Sequence, residues 1–184
     1  MQTLTDNALM LKVKSGDIQK LGLLYERHKK RLFGFFYNMN SDAALSEDLV
    51  QNVFMRMLKY KHTFTGEGSF AAWMFSMARN ISYDYFKKNK KQNSDYQIST
   101  VEYKLDDGTN TEEAVMRKEE LKTLKKAMHK MDPDKREVLV LSKFKELKFS
   151  EIGKIIGCSE GAAKVKAHRA LKELRTIYLQ IESA

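Results

Sequence analysis

The sequence predicts an all-α fold made of two small helical domains, and three observations support this prediction. Nearly every informative stretch repeats its apolar residues three and four positions apart, which is the spacing of an amphipathic helix. The single proline, Pro133, stands between Asp132 and Asp134, a pattern typical of a helix start rather than of an interruption. From residue 87 to 113 the periodicity stops and polar residues gather around Gly108, so we expect a linker too long for a loop inside one domain.

The apolar spacing predicts eight helices in chain order. They span residues 6–13, 18–39, 46–60, 69–88, 111–130, 133–144, 150–156 and 159–179. Ser46, followed by Glu47 and Asp48, is expected to cap the third helix, because acids favour a first turn. Asp132 is expected to cap the sixth helix.

Charge divides the chain in the same way as periodicity. Residues 1–91 hold 15 Lys and Arg against 8 Asp and Glu, residues 92–115 hold 1 against 6, and residues 116–184 hold 17 against 10. We therefore expect one domain over 1–91, an acidic linker over 92–115 and a second domain over 116–184. Two basic domains flanking an acidic connector are typical of a protein that touches a polyanion at two places, because each block can neutralise phosphates.

Several classes of protein are disfavoured. The longest nearly apolar stretch, residues 70–78, contains Ser76 and ends before Arg79, far short of the roughly 20 residues that a membrane span needs. The first residues lack the basic start and apolar run of a signal peptide, so we expect a cytoplasmic protein. The single cysteine, Cys158, excludes an internal disulfide, and we interpret it as a half-buried turn residue. We expect no cofactor and no metal.

A helix-turn-helix is predicted at residues 150–179. Gly157 can adopt the left-handed conformation that ends a helix, and Ser159 can cap the next one. One face of the second helix is expected to be buried and small, at Ala163, Ala167, Ala170, Leu171 and Leu174. The opposite face is expected to be exposed, at Lys164, Val165, His168, Arg169 and Lys172. Such a helix can enter a major groove, although a helical hairpin with a solvated basic face has the same pattern.

The first domain holds two further unusual stretches. Residues 46–61 place a stripe of apolar residues on one side and Asp48, Gln51, Asn52, Met55 and Arg56 on the other. Residues 63–91 interleave aromatic side chains with cations after a loop containing Gly66 and Gly68. Such a mixture is typical of a surface that binds unstacked bases, because rings can stack on the bases and cations can neutralise the backbone. We nevertheless expect Trp73 and Phe75 to lie mostly in the core.

These stretches together resemble the extracytoplasmic-function sigma factors, the smallest members of the sigma-70 family of bacterial RNA polymerase. The resemblance rests on residues 48–51 with Phe54, on the run Phe70, Trp73, Ala78, Arg79, Asn80 and Asp84, and on residues 133–174 with Arg136, Leu141, Glu151 and Ile152. It covers nearly the whole chain and implies a sigma-2-like domain, a flexible linker and a sigma-4-like helix-turn-helix domain.

The resemblance implies a function and its residues. The protein would bind core RNA polymerase and promoter DNA without being an enzyme, and an anti-sigma factor is a further implied partner. Polymerase docking would use Asp48, Gln51, Asn52 and Met55. The minus-10 element would be captured by Phe64, Ser69, Asn80, Lys87 and Lys88. The minus-35 element would be read by Ser159, Lys164, Lys166, His168 and Arg169.

The chain departs from the family pattern at single positions. Asn52 stands where the family usually has Glu, and Gly153 stands where it usually has Ala. Lys164 and Lys166 occupy places where arginine is frequent, so that point-charge contacts would replace bidentate readout of guanine.

Two other functions compete with this interpretation. A conventional helix-turn-helix regulator would bind a duplex site alone, and its first half would sense a ligand or dimerise. A small helical enzyme is disfavoured because the four histidines are scattered and Gly66 and Gly68 lack the Lys-Ser/Thr of a phosphate loop. A purely structural helical bundle would leave both basic blocks unexplained.

Overall fold

The computed structural model describes residues 4–89, 112–143 and 147–183. The chain forms two compact units, residues 1–99 and 100–184. Within the described ranges there are eight α-helices and one short 3-10 helix, Lys61–Thr63, and no strand. The α-helices are α1 Asp6–Lys14, α2 Lys20–Asn40, α3 Ala43–Lys59, α4 Phe70–Asn89, α5 Glu112–Lys130, α6 Pro133–Lys143, α7 Phe149–Ile156 and α8 Glu160–Glu182. The predicted all-α fold is confirmed.

The first unit packs α1 to α4 around an aromatic core. The ring of Phe35 meets Phe36 and Phe75 edge-on, with centroids 5.3 and 5.7 Å apart, which is a favoured geometry for aromatic pairs. The largest fully buried side chains of this unit are Leu9, Met10, Leu24, Leu32, Phe35, Phe36, Met57, Phe64, Phe70, Met74, Phe75 and Ile81. Phe75 therefore belongs to the core, as expected.

The second unit is organised around α8, which packs against α5, α6 and α7. Three of its four buried residues are alanines, so α8 can approach its neighbours closely. Buried Arg136 joins α6 to the end of α5, because its Nη2 donates to the carbonyls of His129 and Met131 at 2.8 and 3.1 Å. A guanidinium suits that place, since the last carbonyls of a helix lack intrahelical donors.

One predicted helix start is confirmed and one is wrong. Asp132 caps α6, accepting a hydrogen bond from the backbone N–H of Asp134 at 3.0 Å. Ser46 does not cap α3, because the helix begins three residues earlier and Asp42 accepts from the N–H of Leu45 at 2.9 Å. The Ser46 side chain is instead buried and donates to the carbonyl of Asp42 at 2.5 Å.

Most of the predicted linker, through residue 111, lies outside the described residues. Its last four residues, 112–115, form the first turn of α5. The predicted end of the sixth helix, residue 144, also lies outside. Across the described ranges, no helix combines the length and apolarity that crossing a membrane requires.

Candidate nucleic-acid interface

The turn between α7 and α8 is built by neighbouring residues. Gly157 ends α7 with a φ of 74° and donates its N–H to the carbonyl of Gly153. Ser159 begins α8, its hydroxyl accepting a hydrogen bond from the N–H of Ala162 at 3.2 Å. At the other end of α7, the Glu151 carboxylate accepts from the N–H of Lys148 at 2.8 Å. The predicted helix-turn-helix is therefore present, with its expected glycine and serine.

Because Gly153 has no side chain, the turn after α7 can pass close to this helix. A Cβ atom at this position would lie 2.6 Å from the carbonyl oxygen of Cys158 and 3.2 Å from that of Ser159. The N–H of Cys158 also donates to the carbonyl of Gly153 at 2.8 Å, so the turn is tied to the same residue that it crowds. Cys158 is half-buried, as expected of a turn residue.

The two faces of α8 divide as predicted, with one exception. Ala163, Ala167, Ala170 and Leu174 are buried. The exposed face carries Lys164, Val165, Lys166, His168, Arg169 and Lys172. Leu171, predicted to be buried, is 46% exposed, because it lies one step of about 100° beyond Ala170 and outside the narrow alanine stripe.

The cations of α8 differ in how they are engaged. Lys164 pairs with Glu160 one turn earlier, at 2.7 Å from its carboxylate. Within the described residues, the side chains of Lys166, His168 and Arg169 make no hydrogen bond or ion pair. An exposed Lys–Glu pair on a helix contributes little, so Glu160 can release Lys164 to a phosphate at small cost.

Arg136 and His129 lie together where α5 ends and α6 begins. Burial lowers the pKa of His129, and the positive charge of Arg136 lowers it further. Burial also lowers the pKa of Arg136, although Asp132 opposes that shift. Arg136 Nη1 lies 3.3 Å from His129 Nδ1, which fits a neutral imidazole that accepts a hydrogen bond. Arg136 thus belongs to the scaffold of the domain.

In the first unit, α3 presents a polar outer edge. Asp48, Gln51, Asn52 and Met55 are all exposed, and Met55 retains 66% of its surface. The opposite side of the helix is buried through Leu49, Val50, Val53, Phe54 and Met57. An exposed thioether beside amide and carboxylate groups is typical of a protein-binding surface, because methionine adapts its shape to a partner.

The residues predicted to take the minus-10 element are divided between core and surface. Phe64 requires a correction, since its side chain is 2% exposed and packs against Trp73 and Phe70 with centroids 5.1 and 6.3 Å apart. It has no free face on which a base could stack. Ser69 is half-buried, and its hydroxyl accepts from the N–H of Ala72 at 3.1 Å, at the start of α4.

The exposed face of α4 holds the remaining predicted residues and one that was missed. Asn80, Lys87 and Lys88 are exposed, and Asn80 and Lys87 lie two turns apart on one face. Tyr83 lies between them on that face and is 65% exposed. In the sequence, Tyr83 stands three residues after Asn80 and therefore on the same face of the helix. Only its exposure in the structure distinguishes it from the aromatic side chains of the core.

Comparison with known proteins agrees with this geometry. Residues 24–92 match the family described as Sigma-70 region 2, and residues 121–174 match Sigma-70 region 4. The chain is 30% identical over 158 residues to the ECF RNA polymerase sigma factor SigM of Bacillus subtilis strain 168, covering 84% of this chain and 93% of that protein. Identity to SigX of the same organism is 29% over 157 residues, covering 83% and 80%.

Solved structures with a similar fold include a sigma factor RpoE of Bartonella quintana, crystallised with the anti-sigma factor NepR. The TM-score is 0.69 at 22% identity, covering 85% of this chain and 94% of that one. At this identity the likeness establishes the fold.

The two matched regions define the class of protein to which the fold and its exposed surfaces correspond, the sigma-70 family of transcription initiation factors. Within that class, the chain belongs to the extracytoplasmic-function (ECF) sigma factors of bacterial RNA polymerase. The resemblance found in the sequence is confirmed.

Proposed function

We propose that this sigma factor divides its work between a polymerase-docking and minus-10 domain over residues 1–91 and a minus-35 domain over residues 116–184. The observation that carries the proposal is α8, whose alanine face is buried and whose cationic face is exposed directly after a tight turn. A helix placed in this way can enter a DNA major groove, while the helices that support it stay outside the groove.

The minus-35 element is read by the first three turns of α8. Arg169 and Lys166 reach base edges or phosphates, and Lys164 exchanges Glu160 for a phosphate. His168 lies beside Arg169 on the exposed face. Ser159 caps α8, and this cap orients the first N–H groups of the helix toward the phosphate backbone of the DNA.

The minus-10 element is captured by the loop 64–69 and the outer face of α4. Asn80 contacts an unstacked base, Tyr83 provides a ring for stacking, and Lys87 and Lys88 neutralise the neighbouring backbone. Phe64 supports the loop from the core, and Ser69 fixes the start of α4.

Core RNA polymerase is bound by the outer edge of α3. Met55 provides the apolar centre of that contact, and Asp48, Gln51 and Asn52 provide hydrogen bonds around it. The site requires no cofactor, and the protein directs the polymerase without catalysing a reaction itself. It acts in the cytoplasm, where promoter and polymerase meet, and an anti-sigma factor is its expected regulator.

Transcription from defined starts tests this proposal. The purified protein is mixed with bacterial core RNA polymerase and fragmented DNA from its own genome, and the transcripts that start are sequenced. Starts that share paired upstream elements support the proposal and define the promoter. No starts, together with tight duplex binding by the protein alone, would favour a conventional regulator.

A further inference from the structure

The loop 64–69 has little internal structure of its own. Gly66 and Gly68 both adopt left-handed backbone conformations, with φ of 82° and 78°. A hydrogen bond from the N–H of Glu67 to the hydroxyl of Thr65, at 3.2 Å, lies within the loop. A loop with two such residues is free to take many shapes unless other parts of the chain hold it.

The side chain of Asn7, on α1, supplies that hold. Its Nδ2 donates to the carbonyls of Gly66 and Gly68 at 3.1 and 2.8 Å. Its Oδ1 accepts from the N–H of Phe70 at 2.8 Å, where α4 begins. A single amide therefore ties both glycines of the loop to the start of the helix that carries Asn80.

A second residue of α1 holds the other end of the loop. Lys14 Nζ donates to the carbonyl of Phe64 at 2.6 Å. Between the two polar contacts, the side chain of Leu11 lies where a Cβ on Gly66 would meet it at 3.4 Å. The loop is thus fastened at its beginning, its middle and its end by one face of α1.

The helix that holds the loop is itself anchored. Asp6 pairs with Arg27 and with buried His28, in each case at 2.7 Å. Burial raises the pKa of Asp6, but the hydrogen bonds from Arg27 and His28 and the charge interactions with them together outweigh burial, so that the pKa lies below its usual value. Leu9, Met10 and Val13 of α1 are completely buried. Fixed in this way, α1 can impose a shape on the loop.

We infer that Asn7, supported by Lys14, is a positioning residue that sets the shape of the loop 64–69 and thereby which base of the minus-10 strand is accepted there. The inference rests on the proposed capture of that strand by the loop. Helix α1 precedes the stretch that matches Sigma-70 region 2, which begins at residue 24, so this control of base choice comes from outside the matched region.

Base discrimination by the holoenzyme tests the inference. Full-length protein with core RNA polymerase is bound to fork-junction DNA carrying a single-stranded minus-10 element, with each base replaced in turn by the other three. We expect wild type to discriminate by about 10-fold or more at one position, as a mismatched contact usually does. Asn7→Ala should reduce this discrimination to about 3-fold or less, because the free loop accepts several bases.

Thr5→Ala is the matched control on the same helix. Thr5 caps α1 by accepting from the N–H of Ala8 at 3.2 Å, and among the described residues its side chain makes no hydrogen bond to the loop. It should lower the melting temperature and leave discrimination unchanged. If Asn7→Ala folds poorly, Lys14→Met tests the same hold, with a smaller expected loss of discrimination and retained affinity for core polymerase.

The outcomes separate this inference from the proposed function. Wild-type protein that initiates from no promoter would overturn the proposed function and the inference with it. Wild type that discriminates, with Asn7→Ala and Lys14→Met discriminating equally well, would overturn the inference alone. So would a loss of the same size at every minus-10 position, because that would indicate a merely structural role.

Discussion

The turn before α8 and the loop before α4 both lead into a helix that we propose to contact DNA, yet their shapes are set by different parts of the chain. The turn is held by bonds within residues 153–162, as between Gly157 and Gly153 and between Ser159 and Ala162. The loop is held by Asn7, whose bonded partners lie 59 to 63 residues away. A locally built interface tolerates changes elsewhere in the chain, whereas a distantly held one depends on the packing of its whole domain.

The largest expected effect comes from removing cations of the locally built interface. Lys164→Ala with Arg169→Ala should lower minus-35-dependent initiation by about 100-fold, because each contact contributes roughly 1–3 kcal/mol. Affinity for core polymerase should stay unchanged, since these side chains are exposed and support no packing. The measurements are initiation from a mapped promoter and polymerase binding by competition.

A matched control is Lys122→Ala with Lys126→Ala, which removes the same charge from exposed positions of α5. If it weakened initiation equally, net charge rather than the face of α8 would explain the effect. Equal loss of polymerase binding in the α8 variant would contradict the division into two domains.

The next effect addresses the edge of α3 that we propose to bind core polymerase. Asp48→Ala with Gln51→Ala should weaken binding to core polymerase by about 10-fold, the size expected for truncating two residues of an interface. Binding of minus-35 duplex should not change. Glu47→Ala, also exposed on α3, serves as the single-charge control. Unchanged polymerase affinity in the double variant would remove the docking site from this edge.

Two glycine-to-alanine substitutions test whether close packing at Gly153 determines the shape of the turn before α8. Gly153→Ala should lower the free energy of unfolding of the second unit by about 1–2 kcal/mol, because its Cβ would press on the carbonyl of Cys158. Gly161→Ala is the control, since nothing lies within 4 Å of a Cβ at that position of α8. It should be neutral or slightly stabilising, because alanine favours helix. Denaturant unfolding measures both, and equal values would show that the turn yields easily.

The smallest effect is a dependence on pH within the scaffold of the second unit. The pKa of His129 is lowered in the folded chain, so below its ordinary value of 6.5 the unfolded chain takes up the proton first. Stability is therefore present above that value and is lost progressively as the pH falls below it, through the lowered pKa of the folded chain. Proton NMR of the imidazole should give a pKa below 6.5 in the full-length protein.

His129→Gln should reduce that loss, while His62→Gln, at an exposed position of the first unit, should leave it unchanged. A titration of His129 at or above its ordinary value would contradict the half-buried, neutral imidazole beside Arg136.

Much of the fold could be predicted from the sequence, but the residues of the candidate site could be predicted only in part. The helices, the Asp132 cap and the Gly157–Ser159 turn were predicted because each depends on residues within one or two turns. The prediction that Ser46 caps α3 was wrong because Asp42 caps the helix at an earlier position. The prediction that Leu171 is buried was wrong because the buried stripe of α8 is narrow and consists mainly of alanines. The first error is about one helical turn and the second is one residue, and local patterns resolve such differences poorly.

The sequence by itself determined that this chain is all-α and that α8 carries exposed cations after a tight turn, since helical periodicity and capping act between near neighbours. The tertiary structure alone decided that Phe64 is core and that Asn7 and Lys14 hold the loop. The physical reason is distance along the chain. A buried ring or a hydrogen bond between residues some 60 positions apart exists only after the helices have packed.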